Sequence, residues 1–145
     1  MLKNLSPLLT PELLFALASM GHGDDVALVD ANFPAARIAA QAGVGLIRLP
    51  GLDTHDVLQA VLSVLPLDTF EAHCAFSMQV VGDTAAVPQP VAQFRALLQS
   101  EGHGVASLER FAFYEQACSA RVIVQTGDRR KYANILLRKG VIAVD

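Results

Sequence analysis

The sequence predicts an α/β fold: a three-layer sandwich with an open, mostly parallel or mixed sheet and helices on both faces. Short apolar runs rich in Val, Ile and Leu alternate along the chain with segments whose apolar residues recur at helical spacing. Capping residues, Pro and Gly punctuate the boundaries between them. The 145 residues, 52% of them hydrophobic, suit one domain over 1–145 with a single substantial core.

The first helix starts at Thr10-Pro11-Glu12. Thr10 can cap the free N–H groups of the first turn, and Pro11 suits the first helical position, where its missing N–H is not needed. Leu13, Leu14, Leu17 and Ala18 form its buried face, and Gly21 is expected to stop it in the left-handed conformation. Val26–Val29 follows as a short buried strand running into Asp30. A second strand is expected over Leu46–Leu49, ended by Pro50-Gly51. Asp53 or Thr54 then caps a helix with Val57, Leu58, Val61, Leu62 and Leu65 on one face, stopped by Pro66. Ala75–Val81 reads as a strand and Pro90–Leu98 as a helix released at Gly102. Phe111–Ala117 fits either element, with helix the expectation. Arg121–Thr126 and Asn134–Leu137 are the last strands.

Charged residues make up 17% of the chain, against about 25% in an average soluble domain. Subunits that bury part of each other's surface would explain this, as would an alanine-rich composition. A net charge of −3 and a pI of 5.7 argue against a nucleic-acid partner. The one basic cluster, Arg129 to Lys131, fits a solvated turn as well as a phosphate site. No apolar run reaches the roughly 18 residues of a membrane span, and Met1 to Ser6 lacks a secretory pattern, so the cytoplasm is the expected location. Cys74 and Cys118 fit no metal spacing and read as free, buried thiols. Gly43-Val44-Gly45 lacks the third glycine of a dinucleotide loop. No cofactor and no metal are expected.

Four segments carry side chains suited to chemistry. In Gly21-His22-Gly23-Asp24-Asp25 an uncrowded imidazole lies near two carboxylates and suits proton transfer near neutral pH. A helix-terminal histidine favoured by the helix dipole is the competing role. Asp30, opening Asp30-Ala31-Asn32-Phe33-Pro34, follows an apolar strand, where open α/β sheets bind ligands, although it can equally tighten the turn. In Arg110-Phe111-Ala112-Phe113-Tyr114-Glu115, Phe111 and Phe113 are expected in the core, with Arg110, Tyr114 and Glu115 left open. Tyr132-Ala133-Asn134 sets a phenol and an amide two residues apart, both able to donate and accept. His55, His73 and His103 read as solvated.

With these segments in this order, the chain resembles the L-fucose mutarotases and, more distantly, the ribose pyranases. The likeness runs from Leu5-Ser6-Pro7-Leu8-Leu9-Thr10-Pro11-Glu12-Leu13-Leu14 to Leu136-Leu137-Arg138-Lys139-Gly140-Val141, through Met20-Gly21-His22-Gly23-Asp24. The resemblance implies a cofactor-free isomerase acting on a monosaccharide. It implies that His22 donates a proton and that Asp30, Arg110, Tyr132, Ala133 and Asn134 bind the sugar. Asp24, Tyr114 and Glu115 are further candidates to share or support the proton transfer. Gly23 and the Arg110-to-Glu115 stretch look like the fucose branch, whereas Ala133 stands where that branch usually has Gly and looks like the ribose branch. The resemblance also implies a ring-shaped homo-oligomer, commonly a decamer. Tyr132 and Asn134, or Arg110, are then expected to complete the pocket of a neighbouring subunit. The alternatives are a sugar-binding or transport-accessory protein without catalysis and a mutarotase or pyranase for ribose. A metal hydrolase built on His22, Asp24, Asp25 and Asp30 lacks clear ligand spacing.

Overall fold

Thr10 opens the first helix as its sequence requires, its hydroxyl accepting the Leu13 N–H at 3.3 Å, and α1 runs over Pro11–Ser19. The computed structural model describes residues 1–144. The further elements are β1 (Asp25–Val29), α2 (Ala35–Ala42), β2 (Gly45–Leu49), α3 (Thr54–Leu62), β3 (Ala75–Met78), α4 (Gln89–Ser100), β4 (Ala106–Leu108), α5 (Arg110–Cys118), β5 (Val122–Thr126) and β6 (Ile135–Arg138). The strands form one sheet in the order β2-β5-β1-β6-β3-β4. It is a mixed sheet, because β6 runs antiparallel to both of its neighbours while the other pairs are parallel.

The layers follow from strand alternation. Val26 and Leu28 of β1 face one way, into a core with Leu13 of α1, Leu58 of α3 and Phe94 of α4. Ala27 and Val29 face the other way, against Ile38 of α2 and Phe113 of α5. Both faces of β1 are therefore covered, which is why it reads as a continuous apolar run.

The expected boundaries shift in several places. Gly21 does not stop α1. The helix ends at Ser19 with Met20 extended, and the left-handed glycine is Gly23, at φ +84°. The Lys139 ammonium takes over part of the stop, donating to the Leu17 and Met20 carbonyls at 2.8 and 2.7 Å. Ala18 is exposed and Ala16 takes its place in the core. Asp53, rather than Thr54, caps α3 by accepting the Asp56 N–H at 2.9 Å. Leu65 is buried beyond the end of that helix. Strand β3 stops at Met78 rather than Val81, although the Gln79 N–H still bonds Leu108. Cys118 is exposed, in contrast to Cys74. Two elements, α2 and β4, lie where no element was expected. Gly43 is the left-handed cap of α2 and Gly45 begins β2, so this pair shapes a helix-to-strand turn.

Candidate functional site

The sheet separates the candidate residues into two groups. His22 precedes β1 and Asp30 follows it. At about 3.3 Å per residue, the five-residue strand between them spans roughly 16 Å.

At the carboxyl end of β1 the register pairs Leu28 with Ile135, which brings Asp30 beside Asn134. The two lock together: the Asp30 N–H donates to Asn134 Oδ1 at 2.8 Å, and Asn134 Nδ2 donates to the Asp30 carboxylate at 3.0 Å. The Asn32 N–H binds the other carboxylate oxygen at 2.8 Å. Burial pushes the Asp30 carboxyl upward, against these hydrogen bonds that favour its charge. Both residues help to line a cleft of about 480 Å³, within the range of small-molecule pockets. Phe33, Met78, Val81 and Tyr114 supply apolar wall, with Tyr114 edge-on to Phe33 at 5.3 Å between ring centroids. Arg110, Arg129, Lys131 and Tyr132 complete it. Tyr132 adopts φ +64°, and its hydroxyl accepts the Val81 N–H at 3.1 Å, leaving its own hydrogen free to donate. Ala133 is fully buried between Tyr132 and Asn134. Arg110 stacks over Phe111 at 4.6 Å, and its buried Nε has no acceptor among the described residues.

His22 lies at the opposite end of the strand, half-exposed, with Nε2 at 2.9 Å from Asp68 Oδ1. Asp68 also accepts the Phe70 and Glu71 N–H groups at 3.2 and 3.1 Å. The His22 hydrogen bond holds this carboxyl below its ordinary value. An ionised Asp68 only accepts, so Nε2 carries the hydrogen and Nδ1 is left to give or take a proton. Phe70, itself exposed, lies 5.0 Å from the imidazole between ring centroids.

Asp30, Arg110, Tyr114, Tyr132 and Asn134 therefore share one cleft, and His22 does not join them within the chain. Asp24 and Glu115 lie apart from that cleft too, lining a depression beside Asp25 and Arg138. The Asp24 carboxylate accepts the Gly21 N–H at 2.7 Å, so the acid nearest His22 in sequence serves the turn. Its actual partner, Asp68, is 46 residues away, and nothing in Pro66-Leu67-Asp68 marks it in sequence. Phe111 is exposed, where a core role was expected, while Phe113 is fully buried. His103, expected in solvent, is half-buried with Nδ1 3.4 Å from Cys74 Sγ, while His73 is exposed. No helix is long and apolar enough to cross a membrane among the described residues.

The cleft offers charged and neutral acceptors, several donors and an aromatic wall, the mixture that suits a polyhydroxylated ring. Residues 3–142 match the model of the RbsD / FucU transport protein family. The human fucose mutarotase is 44% identical over 149 aligned residues, covering 99% of this chain and 96% of its own. The crystal structure of the fucose mutarotase from Streptococcus pneumoniae in complex with L-fucose matches with a TM-score of 0.89 at 35% identity, covering 98% of this chain and all of that one (100%). Bacillus subtilis RbsD, solved with D-ribose, shares the fold at 22% identity with a TM-score of 0.77, covering 99% of this chain and 100% of its own.

Proposed function

Since this chain belongs to the RbsD / FucU transport protein family, we propose that it is an isomerase interconverting the α and β anomers of a free monosaccharide, with L-fucose as the leading substrate. The observation that carries this is the hydroxyl-binding cleft around Asp30 and Asn134, in a chain 44% identical to a fucose mutarotase.

Changing anomer requires the ring to open. One group protonates the ring oxygen while another removes the anomeric hydroxyl proton, and the C–O bond breaks. The aldehyde end rotates and recloses on its other face. Only protons move, so positioned acid–base groups suffice, and these typically contribute about 10²- to 10⁴-fold. His22 is the acid: Asp68 holds Nε2, and Nδ1 exchanges the proton. Asp30, Arg110, Tyr132 and Asn134 hold the hydroxyls, with Ala133 fixing the spacing of the last two. Asp30, Tyr114 or an ordered water takes the anomeric proton. The length of β1 argues that the His22 serving a cleft belongs to a neighbouring subunit. A ring-shaped homo-oligomer, taken as a decamer of single-domain chains in the cytoplasm, supplies that neighbour. The exposed Phe15, Phe70, Phe111 and Ile142 provide apolar surface for such contacts.

Saturation-transfer NMR between the anomeric protons, across L-fucose, D-ribose and D-galactose, tests this. The His22 side chain is 46% exposed, so His22→Ala should leave no core cavity and keep the fold. Its exchange rate should fall by about 10²- to 10⁴-fold, toward the buffer rate. Near-wild-type exchange in a folded variant would remove His22 from the mechanism. Sugar binding without any enzymatic exchange would favour the accessory role that the family's description as transport proteins suggests. Fastest exchange with D-ribose would place the chain functionally with the pyranases.

A further inference from the structure

The turn that holds His22 also presents an aromatic ring. Asp68 Oδ1 meets His22 Nε2 at 2.9 Å and accepts the Phe70 N–H at 3.2 Å, while Oδ2 accepts the Glu71 N–H at 3.1 Å. One buried carboxylate therefore fixes both the imidazole and the backbone that carries Phe70. The two rings lie 5.0 Å apart between centroids, tilted at 56°. Phe70 is nevertheless 72% exposed, so most of its ring packs on nothing in its own chain. A single exposed aromatic is ordinary on a protein surface. This one is held beside the proposed acid, whose own side chain is half-exposed. When His22 gives its proton to a sugar's ring oxygen, the nearest sugar carbons are the two bonded to that oxygen, carbon 1 and carbon 5. Carbon 1 must stay clear, because its hydroxyl loses a proton and the aldehyde end then rotates. The ring beside the imidazole is left to meet carbon 5 and whatever that carbon carries. An apolar ring suits a methyl group there. A hydroxymethyl group would lose water without gaining a partner, and a bare carbon would leave a gap.

We propose that Phe70 is a specificity-determining residue, whose ring covers carbon 5 of the sugar and selects a methyl group there over a hydroxymethyl group or a hydrogen. The proposal rests on the mutarotase reading, with His22 as the acid at the ring oxygen. The subunit that lends His22 to a cleft lends Phe70 with it, opposite the apolar wall of Phe33, Met78 and Tyr114. Phe70 takes no part in the proton transfers.

The test compares L-fucose, L-galactose and D-arabinose by NMR anomer exchange on the intact oligomer. Their pyranose rings share one configuration and differ only on carbon 5, which carries a methyl group, a hydroxymethyl group or a second hydrogen. In the parent, kcat/KM for L-fucose should exceed that for both others. In Phe70→Ala both ratios should fall about fourfold, the worth of one buried methyl group. In Phe70→Gln the L-fucose-to-L-galactose ratio should fall at least as far, because the amide can hydrogen-bond the added hydroxyl. A parent without preference for L-fucose, or ratios unmoved in the variants, overturns the proposal. Loss of exchange with all three sugars in both variants overturns it too, since Phe70 would then hold the subunits together or support the acid rather than choose the sugar. Size-exclusion chromatography of the variants separates those two roles. The parent alone tests the reading beneath: if it exchanges none of the three sugars, the mutarotase reading fails and this proposal falls with it. If it exchanges them and only the ratios disappoint, the mutarotase reading survives and this proposal does not.

Discussion

At the scale of single residues, the pair that matters most joins a legible residue to an illegible one. His22 announced itself through its flanking glycines, but Asp68 reaches it only because Gly140 and Lys139 pair with Pro66 and Leu67 and bring two distant segments together. A carboxyl whose value is depressed on folding adds stability above its ordinary value of 3.8 and loses it as pH falls through the lowered one. Asp68→Asn should therefore be less stable than the parent in urea unfolding at neutral pH, and the difference should shrink as pH drops below 3.8. The amide can also present its NH₂ to the imidazole, so the ring is no longer held with Nδ1 free. The exchange kcat should fall roughly tenfold to a hundredfold, the worth of one hydrogen bond to a charged group, with KM little changed, and Asp68→Glu should restore more of it. A rise in KM with kcat little changed would assign Asp68 to binding instead. Asp30, Tyr132 and Asn134 were readable because strand ends and turn residues mark them. The exposure of Phe111 was not readable, since an aromatic stacked on Arg110 looks in sequence like one packed in a core.

At the scale of elements, most helices and strands were legible where large apolar residues carried the period. Helix α2 was not. Its Pro34 cap makes no side-chain bond, and of its buried residues Ala35, Ile38 and Ala39 only Ile38 is large. Strand β4 has three residues, too few for its Ala-Ser-Leu alternation to stand out. Close backbone approaches were also hidden, because they depend on a partner segment. A Cβ on Gly127 would sit 1.9 Å from the Pro50 carbonyl oxygen, which joins the β2–α3 turn to the loop carrying Asp128 and Tyr132. Gly127→Ala must push these apart and should lose about 1–3 kcal/mol in urea unfolding, as overpacking does. Gly104→Ala, with nothing within 4 Å of its Cβ, is the control. A Gly127→Ala chain as stable as the control would show that the turn yields freely.

At the scale of the whole molecule, the proposed acid and the candidate cleft lie at opposite ends of one inner strand, β1. The Asp25–Arg138 ion pair, at 2.9 Å, fixes one end of β1, and the Asp30–Asn134 bonds fix the other. Both ends of the strand are thus pinned, and bending it enough to bring His22 to its own cleft would break the central pairing. Composition hinted at shared surface through the low charge fraction, but which residues a neighbouring subunit would have to supply depends on the direction of β1, and that emerges only from the fold. Two variants test the division. His22→Ala lacks the proposed acid and keeps the cleft, while Tyr132→Ala keeps the proposed acid and damages the cleft. Each, purified alone, should be nearly inactive. Unfolded together and refolded, they should form mixed oligomers in which some interfaces join an intact His22 to an intact Tyr132, and exchange should reappear. If each chain instead builds its own site, every cleft in the mixture carries one defect, and activity stays at the level of the separate variants. Differently tagged chains, recovered together by tandem affinity after size-exclusion chromatography, establish that mixing took place before either outcome is scored.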